Sequence, residues 1–135
     1  MGAAAGFAFA ALLTGTERPD LLTGTKTNDH IAGSANNDSI NGRAGNDALF
    51  GDGGNDTLDG GPGRDNVQGG TGQDVASGGD GNGDFVSVVD HEKDDRAVGG
   101  GGDDDICVGD FDMSTGTSDT LDGSTCEFTD TVRTP

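Results

Sequence analysis

The sequence predicts an all-β solenoid built from nine-residue repeats, and three features that share this spacing support the prediction. Aspartate recurs every nine residues, at Asp20, Asp29, Asp38, Asp47, Asp56, Asp65 and Asp74. Glycine recurs on the same lattice five residues earlier, at Gly15, Gly24, Gly33, Gly42, Gly51, Gly60, Gly69 and Gly78. An apolar residue follows each of these aspartates by two positions, at Leu22, Ile31, Ile40, Leu49, Leu58, Val67 and Ala76. Self-similarity at a fixed period is the signature of a repeat architecture.

Each unit is expected to contain one tight turn and one short strand. Glycine reaches positive φ without steric cost, so the six glycine-rich residues favour a turn. The three residues that follow have an apolar residue in the middle. In a strand this side chain points inward, while its two neighbours point outward.

Three units show the pattern most clearly: GGPGRDNVQ from Gly60, GGTGQDVAS from Gly69 and GGGGDDDIC from Gly99. They resemble the RTX (hemolysin-type) calcium-binding nonapeptide, G-G-x-G-x-D-x-U-x, in which U is apolar. The resemblance covers residues 12–86 and returns at 95–107. It implies a parallel β-roll, a β-solenoid in which two repeats form one coil of 18 residues.

In such a roll, alternate repeats lie above each other. One edge is then expected to carry Asp20, Asp38, Asp56 and Asp74, and the other Asp29, Asp47, Asp65 and Asp84. Two stacks of apolar side chains face each other inside: Leu22, Ile40, Leu58 and Ala76 from one sheet, and Leu13, Ile31, Leu49, Val67 and Val86 from the other.

Calcium suits the space between stacked carboxylates. Coils lie about 4.8 Å apart, so the carboxylates repel each other unless a cation separates them. Calcium takes 6–8 oxygen ligands from carboxylates and backbone carbonyls. The resemblance implies several ions between turns i and i+2, the best of them pairing loops 42–47 with 60–65 and 51–56 with 69–74. The predicted metal-site residues are Asp38, Asp47, Asp56, Asp65, Asp74, Asp84, Asp104, Gly42, Gly45, Gly51, Gly54, Gly61, Gly63, Gly70 and Gly72.

The first three loops, GTERPD, GTKTND and GSANND, lack glycine at the second and fourth positions. Asn36 tolerates a left-handed conformation, but Arg18 and Thr27 adopt it less readily. We therefore expect Asp20 and Asp29 to be weaker metal ligands.

The composition supports a metal-dependent fold. The 135 residues include 27 glycines and carry a net charge of −18. Low hydrophobicity and high charge favour disorder without metal, so an expanded metal-free chain and a compact calcium form are expected. A metal-free solenoid with solvent-facing aspartates is the alternative. The acidity argues against binding to nucleic acid or insertion into anionic membranes.

The remaining segments divide the chain into a repeat region at 14–86, an irregular coil with a final repeat at 87–107, and a tail at 108–135. Residues 1–13 are apolar and are either a truncated secretory signal or a cap that precedes the first coil. Val88 and Val89 are expected to prolong the strand that contains Val86. The repeat phase is expected to recover at Asp104 and Ile106.

The tail resembles the end of actinobacterial-type secreted calcium-binding repeat proteins. Cys107 and Cys126 are the only cysteines, and an even pair in such a chain suggests a disulfide that caps the solenoid. Two free thiols in an intracellular protein are the alternative.

No catalytic constellation is found, and the chain is not expected to be an enzyme. His30 is expected to point outward, and the segment that starts at His91-Glu92 lacks the second histidine of the zinc-protease motif. The favoured function is calcium binding in a secreted solenoid with possible end-to-end association. The alternatives are a detached repeat module of a larger toxin or protease, or an ice-binding or adhesive surface.

Overall fold

The computed structural model describes residues 10–90, 95–112, 117–118, 120–121, 127–128 and 131–133. Short strands alternate along the chain between two parallel sheets, which we call sheet A and sheet B. Sheet A contains, in order, β1 (Leu12–Thr14), β3 (His30–Ala35), β5 (Ala48–Gly53), β7 (Asn66–Thr71), β9 (Phe85–Ser87), β11 (Ile106–Val108) and β15 (Glu127–Phe128). Sheet B contains β2 (Leu21–Thr23), β4 (Ser39–Asn41), β6 (Thr57–Asp59), β8 (Val75–Asp80), β10 (Arg96–Gly101) and β14 (Thr120–Leu121).

The strand register confirms the predicted β-solenoid of 18 residues per coil. In sheet A, Leu13 pairs with Ile31, and Ile31 with Leu49. In sheet B, Leu22 pairs with Ile40. From β1 to β8, consecutive strands of each sheet are therefore offset by two nonapeptides, as the resemblance implied.

The core lies between the two sheets and consists of the apolar residues at the eighth position of each repeat, together with Val88. Both predicted stacks are confirmed, and each continues beyond the predicted end. The stack of sheet B extends from Ala76 to Ala97, and that of sheet A extends from Val86 to Cys107. From Ile31 onward these side chains are buried, whereas Leu13 and Leu22 at the first coil are only partly buried. The solenoid thus has a thin but continuous core.

The coils widen after residue 78. Asn66 pairs with Phe85, an offset of 19 residues, and Phe85 pairs with Ile106, an offset of 21. The prediction that the strand runs on through Val88 and Val89 is wrong, because β9 ends at Ser87. Val88 opens the next loop instead. Its side chain is fully buried, and its N–H donates to the carbonyl of Val108.

A third, small sheet follows the coils. In it β12 (Asp110–Asp112) pairs in antiparallel fashion with β13 (Thr117–Ser118) and in parallel with β16 (Thr131–Arg133). In the described part of the chain, no helix is long and apolar enough to cross a membrane.

Candidate metal centre

The lattice aspartates lie at the two edges of the solenoid, where each loop enters the next strand. Their side chains turn inward and are shielded from solvent. Only 1–4% of each residue is exposed for nine of them: Asp29, Asp38, Asp47, Asp56, Asp65, Asp74, Asp84, Asp95 and Asp105. Burial of charged groups is unfavourable unless they are paired or bind a metal. Turn formation alone therefore does not explain why aspartates are buried along both edges.

One oxygen of each carboxylate ties neighbouring coils together. The backbone N–H of Asp38 donates to Oδ1 of Asp56 at 2.7 Å, and the N–H of Asp47 donates to Oδ1 of Asp65 at 2.7 Å. The same bond recurs along both edges and confirms their predicted composition. One ladder runs through Asp20, Asp38, Asp56, Asp74 and Asp95, and the other through Asp29, Asp47, Asp65, Asp84 and Asp105.

The second oxygen of each carboxylate, Oδ2, is also buried, but its hydrogen bonding differs from that of Oδ1. Within the described residues it accepts no hydrogen bond at Asp38, Asp47, Asp56, Asp65, Asp84 and Asp105. Buried polar atoms in native proteins almost always have a partner, so a repeated exception indicates a set of cation sites. A row of such oxygens at coil spacing fits a hard cation with oxygen ligands.

The electrostatics of the central coils also favour a cation. Burial raises the pKa of Asp65 to about 7, and the neighbouring charges of Asp47 and Asp84 add to the rise, although the N–H of Asp47 opposes it. Burial likewise raises the pKa of Asp56 to about 6. Without a cation, burial therefore favours the protonated, neutral form of these carboxylates. A divalent ion would stabilise the ionised form instead.

The first glycine of each loop makes room for the carboxylate. A methyl group placed on Gly42 would lie 2.5 Å from Oδ2 of Asp47 and 2.6 Å from the carbonyl oxygen of Gly60 in the next coil. The lattice glycine is therefore needed for close approach more than for an unusual φ. The carboxylate and the neighbouring carbonyl converge on the same small space, which is the mixed oxygen set that calcium prefers.

The second and fourth loop positions supply the left-handed turns. Gly45 and Gly54 have φ of 128° and 131°, and the predicted glycines of the next two loops also have positive φ: Gly61, Gly63, Gly70 and Gly72. In the third loop Ser34 (φ 88°) and Asn36 (φ 70°) adopt the same turn, as predicted for Asn36. Within the first two loops, all of whose residues are described, no residue has positive φ.

Those first two loops satisfy Oδ2 by themselves. The N–H and hydroxyl groups of Thr16 both donate to Oδ2 of Asp20. The N–H of Thr25 donates to Oδ2 of Asp29, and its hydroxyl lies 2.9 Å from Oδ1 and 3.1 Å from Oδ2. Burial alone would raise the pKa of Asp29, but the hydrogen bonds from Ala11 and Thr25 outweigh it and lower that pKa. These two aspartates therefore differ chemically from those of the later loops.

The structure places Asp105, and not the predicted Asp104, in the aspartate ladder. Asp104 is exposed and has a φ of 66°, whereas Asp105 is buried in the ladder. The neighbouring phase is shifted too, because Cys107 is buried and Ile106 is 40% exposed. The loop that starts at Gly99 contains one extra residue and moves the ligand position by one.

Sequence reasoning also missed Asp95 and a second ladder of side chains. Asp95 is buried and accepts a hydrogen bond from the N–H of Asp74. The apolar Ala97, two positions later, is the sequence signal that could have identified Asp95.

Asparagines at the fifth loop position form this second ladder, because their side chains accept hydrogen bonds from backbone N–H groups of the next coil: Asn28, Asn37, Asn46, Asn55 and Asn82. The Asn-Asp pairs at nine-residue spacing were visible in the sequence.

The two remaining site predictions concern the cysteines and the histidines. Cys107 is buried and disulfide-bonded, and Cys126 lies outside the described residues. His30 is exposed, as predicted, and its ring lies 5.1 Å from that of Phe50. His91 and Glu92 lie outside the described residues.

In the described part of the chain, no three His, Cys, Asp or Glu side chains form a metal-binding group. This agrees with sites in which each loop contributes one carboxylate and its backbone carbonyls supply the other oxygens. Parallel coils with buried aspartate ladders on both edges define the protein as an acidic, metal-binding β-solenoid.

A family model for the RTX calcium-binding nonapeptide repeat, in four copies, matches residues 14–49, 23–58, 59–82 and 88–112. These matches cover more than half of the chain, and the protein belongs to this family. Its cofactor is therefore calcium, with several ions per repeat array. The fold is a structural calcium-binding fold. No curated protein and no solved structure matches the chain significantly.

Proposed function

We propose that this protein is a secreted calcium-binding solenoid whose role is structural and not enzymatic. The observation that carries the proposal is the row of buried Oδ2 atoms that accept no hydrogen bond, for example at Asp47, Asp56 and Asp65. A catalytic carboxylate would need access to a substrate, but these carboxylates are almost completely buried. Their repetition along both edges suits a set of similar ion sites better than a single reactive centre.

The proposed ligands are the buried aspartates that follow the first two loops. On one edge these are Asp38, Asp56, Asp74 and Asp95, and on the other Asp47, Asp65, Asp84 and Asp105. Carbonyl oxygens of the loop glycines, such as that of Gly60, would complete the coordination. Four carboxylates enclose three gaps on each edge, so we expect about six ions. They would offset 12 of the 18 net negative charges.

Thr16 and Thr25 make the first two loops a separate case. Because they already satisfy Oδ2 of Asp20 and Asp29, those loops are proposed to remain metal-free. The first coil would then keep its hydrogen bonds without calcium, whereas later coils would depend on it.

A calcium titration followed by native mass spectrometry and circular dichroism tests this function. We expect about six bound ions and a large gain of β signal between excess EDTA and millimolar calcium. Magnesium is the matched control, since it requires near-octahedral geometry and gives up water reluctantly, and it should produce little gain. A β signal that is the same in EDTA and in calcium, or an ion count near zero, would contradict the proposal.

Secretion is supported by the disulfide at Cys107, because disulfides persist mainly in oxidising compartments. Thiol labelling of protein taken directly from its native source should find Cys107 and Cys126 unreactive. Fully labelled cysteines would contradict an extracellular location. The same native mass spectra would report any end-to-end association.

A further inference from the structure

One pair of neighbouring loops, 60–65 and 78–84, departs from the regular spacing. At the fourth position of the first loop, the backbone N–H still donates to the third position of the second loop, as in the preceding coil. At the sixth position, however, the N–H of Asp65 donates to Oδ1 of Asp84, an offset of 19 residues where the preceding aspartates have 18. The extra residue therefore lies opposite Arg64, which holds the fifth position between them. We call the space between these two loops the Arg64 gap.

Arg64 stands where the neighbouring loops of this edge have an asparagine. Oδ1 of Asn46 accepts the N–H of Arg64 at 3.1 Å, and Oδ1 of Asn82 accepts the N–H of Asp103 at 3.2 Å. A guanidinium has no acceptor atom, so Arg64 cannot continue this ladder to the next coil. Its Nε–H donates instead to the carbonyl of Gly83, the extra residue of the second loop, at 3.1 Å.

The guanidinium of Arg64 is also a fixed positive charge beside the Arg64 gap. Burial raises the pKa of Asp84, whereas the N–H of Asp65 and the charge of Arg64 oppose the rise. The neighbouring charges that act on Asp47, Asp56 and Asp65 all come from aspartates. A positive charge of the chain therefore reaches the carboxylate on one side of this gap.

The described neighbours of the Arg64 gap have different charges. The gap that follows on the same edge is also irregular, but the exposed charges of its loops are acidic, at Asp80, Asp103 and Asp104. On the opposite edge, the three loops from residue 33 to residue 74 contain no lysine or arginine. Irregular spacing and a nearby cation thus coincide at the Arg64 gap.

The oxygens that calcium needs are nevertheless present in this gap. Oδ2 of Asp65 and Oδ2 of Asp84 are buried and accept no hydrogen bond within the described residues. A methyl group placed on Gly60 would meet both Oδ2 of Asp65 and the carbonyl oxygen of Gly78, so carboxylate and carbonyl converge here as in the other gaps. The site is therefore formed, and Arg64 lies beside it.

We propose that Arg64 weakens calcium binding in the Arg64 gap, so that this site fills last and sets the calcium concentration at which the array is full. The guanidinium repels a divalent ion. Its bond to Gly83 also holds a carbonyl oxygen next to a proposed ligand, and calcium must compete for that oxygen. This inference rests on the proposed calcium sites and names the residue that makes them unequal.

Native mass spectra of the full chain, recorded as free calcium is raised, count the ions that bind at each concentration. In the wild-type protein, the last ion should require about fivefold more free calcium than the others, which is the effect of about one exposed charge pair. Arg64→Gln removes the charge and should lower that requirement about fivefold. Arg64→Lys keeps the charge and should leave the last ion late. Arg43→Gln is the matched control, because Arg43 is an exposed arginine in the preceding loop of the same edge.

Ionic strength separates the charge of Arg64 from a purely structural role. Raising the salt from about 0.01 M to about 1 M shortens the Debye length from about 30 Å to about 3 Å, so the difference between wild type and Arg64→Gln should shrink. Circular dichroism at saturating calcium first shows that each variant is folded.

Several results would overturn the role of Arg64 and leave the calcium function intact. They are a wild-type protein that takes up all its ions in one step, an Arg64→Gln variant whose last ion binds no earlier, and an equal effect of Arg64→Lys or Arg43→Gln. A chain that binds no calcium at any concentration would instead contradict the proposed function itself.

Discussion

Thr25→Val tests whether a threonine replaces calcium in the second loop. Valine has nearly the same shape as threonine and lacks the hydroxyl. In the wild-type protein the hydroxyl of Thr25 lies 2.9 Å from Oδ1 and 3.1 Å from Oδ2 of Asp29. Asp29 is only 4% exposed. The N–H of Thr25 also donates to Oδ2 and would remain. The substitution therefore removes one donor from a buried carboxylate.

The size of the effect follows from that geometry. A hydroxyl has one proton, so Thr25 provides one charge-assisted hydrogen bond shared by two oxygens. A hydrogen bond to a charged group contributes about 1.5–3 kcal/mol, and its loss inside the loop should lower the free energy of unfolding by a similar amount. Because the hydrogen bonds from Thr25 lower the pKa of Asp29, the substitution should also raise that pKa.

Urea unfolding of the calcium-saturated protein, followed by circular dichroism, measures this loss. Thr57→Val is the control, because Thr57 is exposed on a strand and its change should stay within about 0.5 kcal/mol. The number of bound ions should not change in either variant. Equal stability of Thr25→Val and Thr57→Val would refute the claim that the hydroxyl serves Asp29. A loss of one ion in Thr25→Val would show that the second loop binds calcium.

Three further changes test the site. Asp65→Asn should reduce the ion count by about one or two in native mass spectra, since it removes a central carboxylate, whereas Asp59→Asn on the exposed outer face should leave the count unchanged. Gly42→Ala should destabilise the calcium form by about 1–3 kcal/mol, because the added methyl group would meet two oxygens. Gly53→Ala is the control, because its methyl group would lie 3.4 Å from the nearest atom. Equal stabilities of the two variants would contradict the steric explanation. In EDTA the β signal should be larger at pH 5 than at pH 8. Burial raises the pKa of Asp65 to about 7, above its value in the unfolded chain, so the stability that protonation contributes is lost as the pH rises through about 7. A signal that is independent of pH would exclude this linkage.

The strict nine-residue spacing made most of the fold predictable. A strand has a side-chain period of two, so one apolar residue per nonapeptide sets which face of each strand is buried. Leu49 and Leu58 therefore had only one consistent placement, and both are buried as predicted. The resemblance added the coil length, which spacing alone left open.

Where the spacing changes, the prediction failed for a local reason. Residues 103–105 are all aspartate, so composition could not show which of them enters the ladder. The structure selects Asp105, because Cys107 and not Ile106 packs in the core. Similarly, the missing glycines marked the first two loops as weaker sites. The hydrogen bonds of Thr16 and Thr25 depend on a turn conformation that the residue pattern does not specify.

The two oxygens of each lattice aspartate have separate roles, and this explains why the sixth loop position requires aspartate. Oδ1 accepts a hydrogen bond from the backbone N–H of the aspartate in the preceding coil, at about the same distance along both ladders. This bond holds the carboxylate in one orientation. Oδ2 is thereby directed into the loop, where either a threonine or a cation can satisfy it. Asparagine could keep the first bond but would lose the charge that the cation needs. Glutamate, with one more methylene group, could not keep both oxygens in place beside the lattice glycine. The ladder thus orients each carboxylate, and the second loop position decides how Oδ2 is satisfied. A threonine stands there in the first two loops and donates to Oδ2. Ser34, Arg43 and Asp52 stand there in the next three loops, where Oδ2 accepts no hydrogen bond.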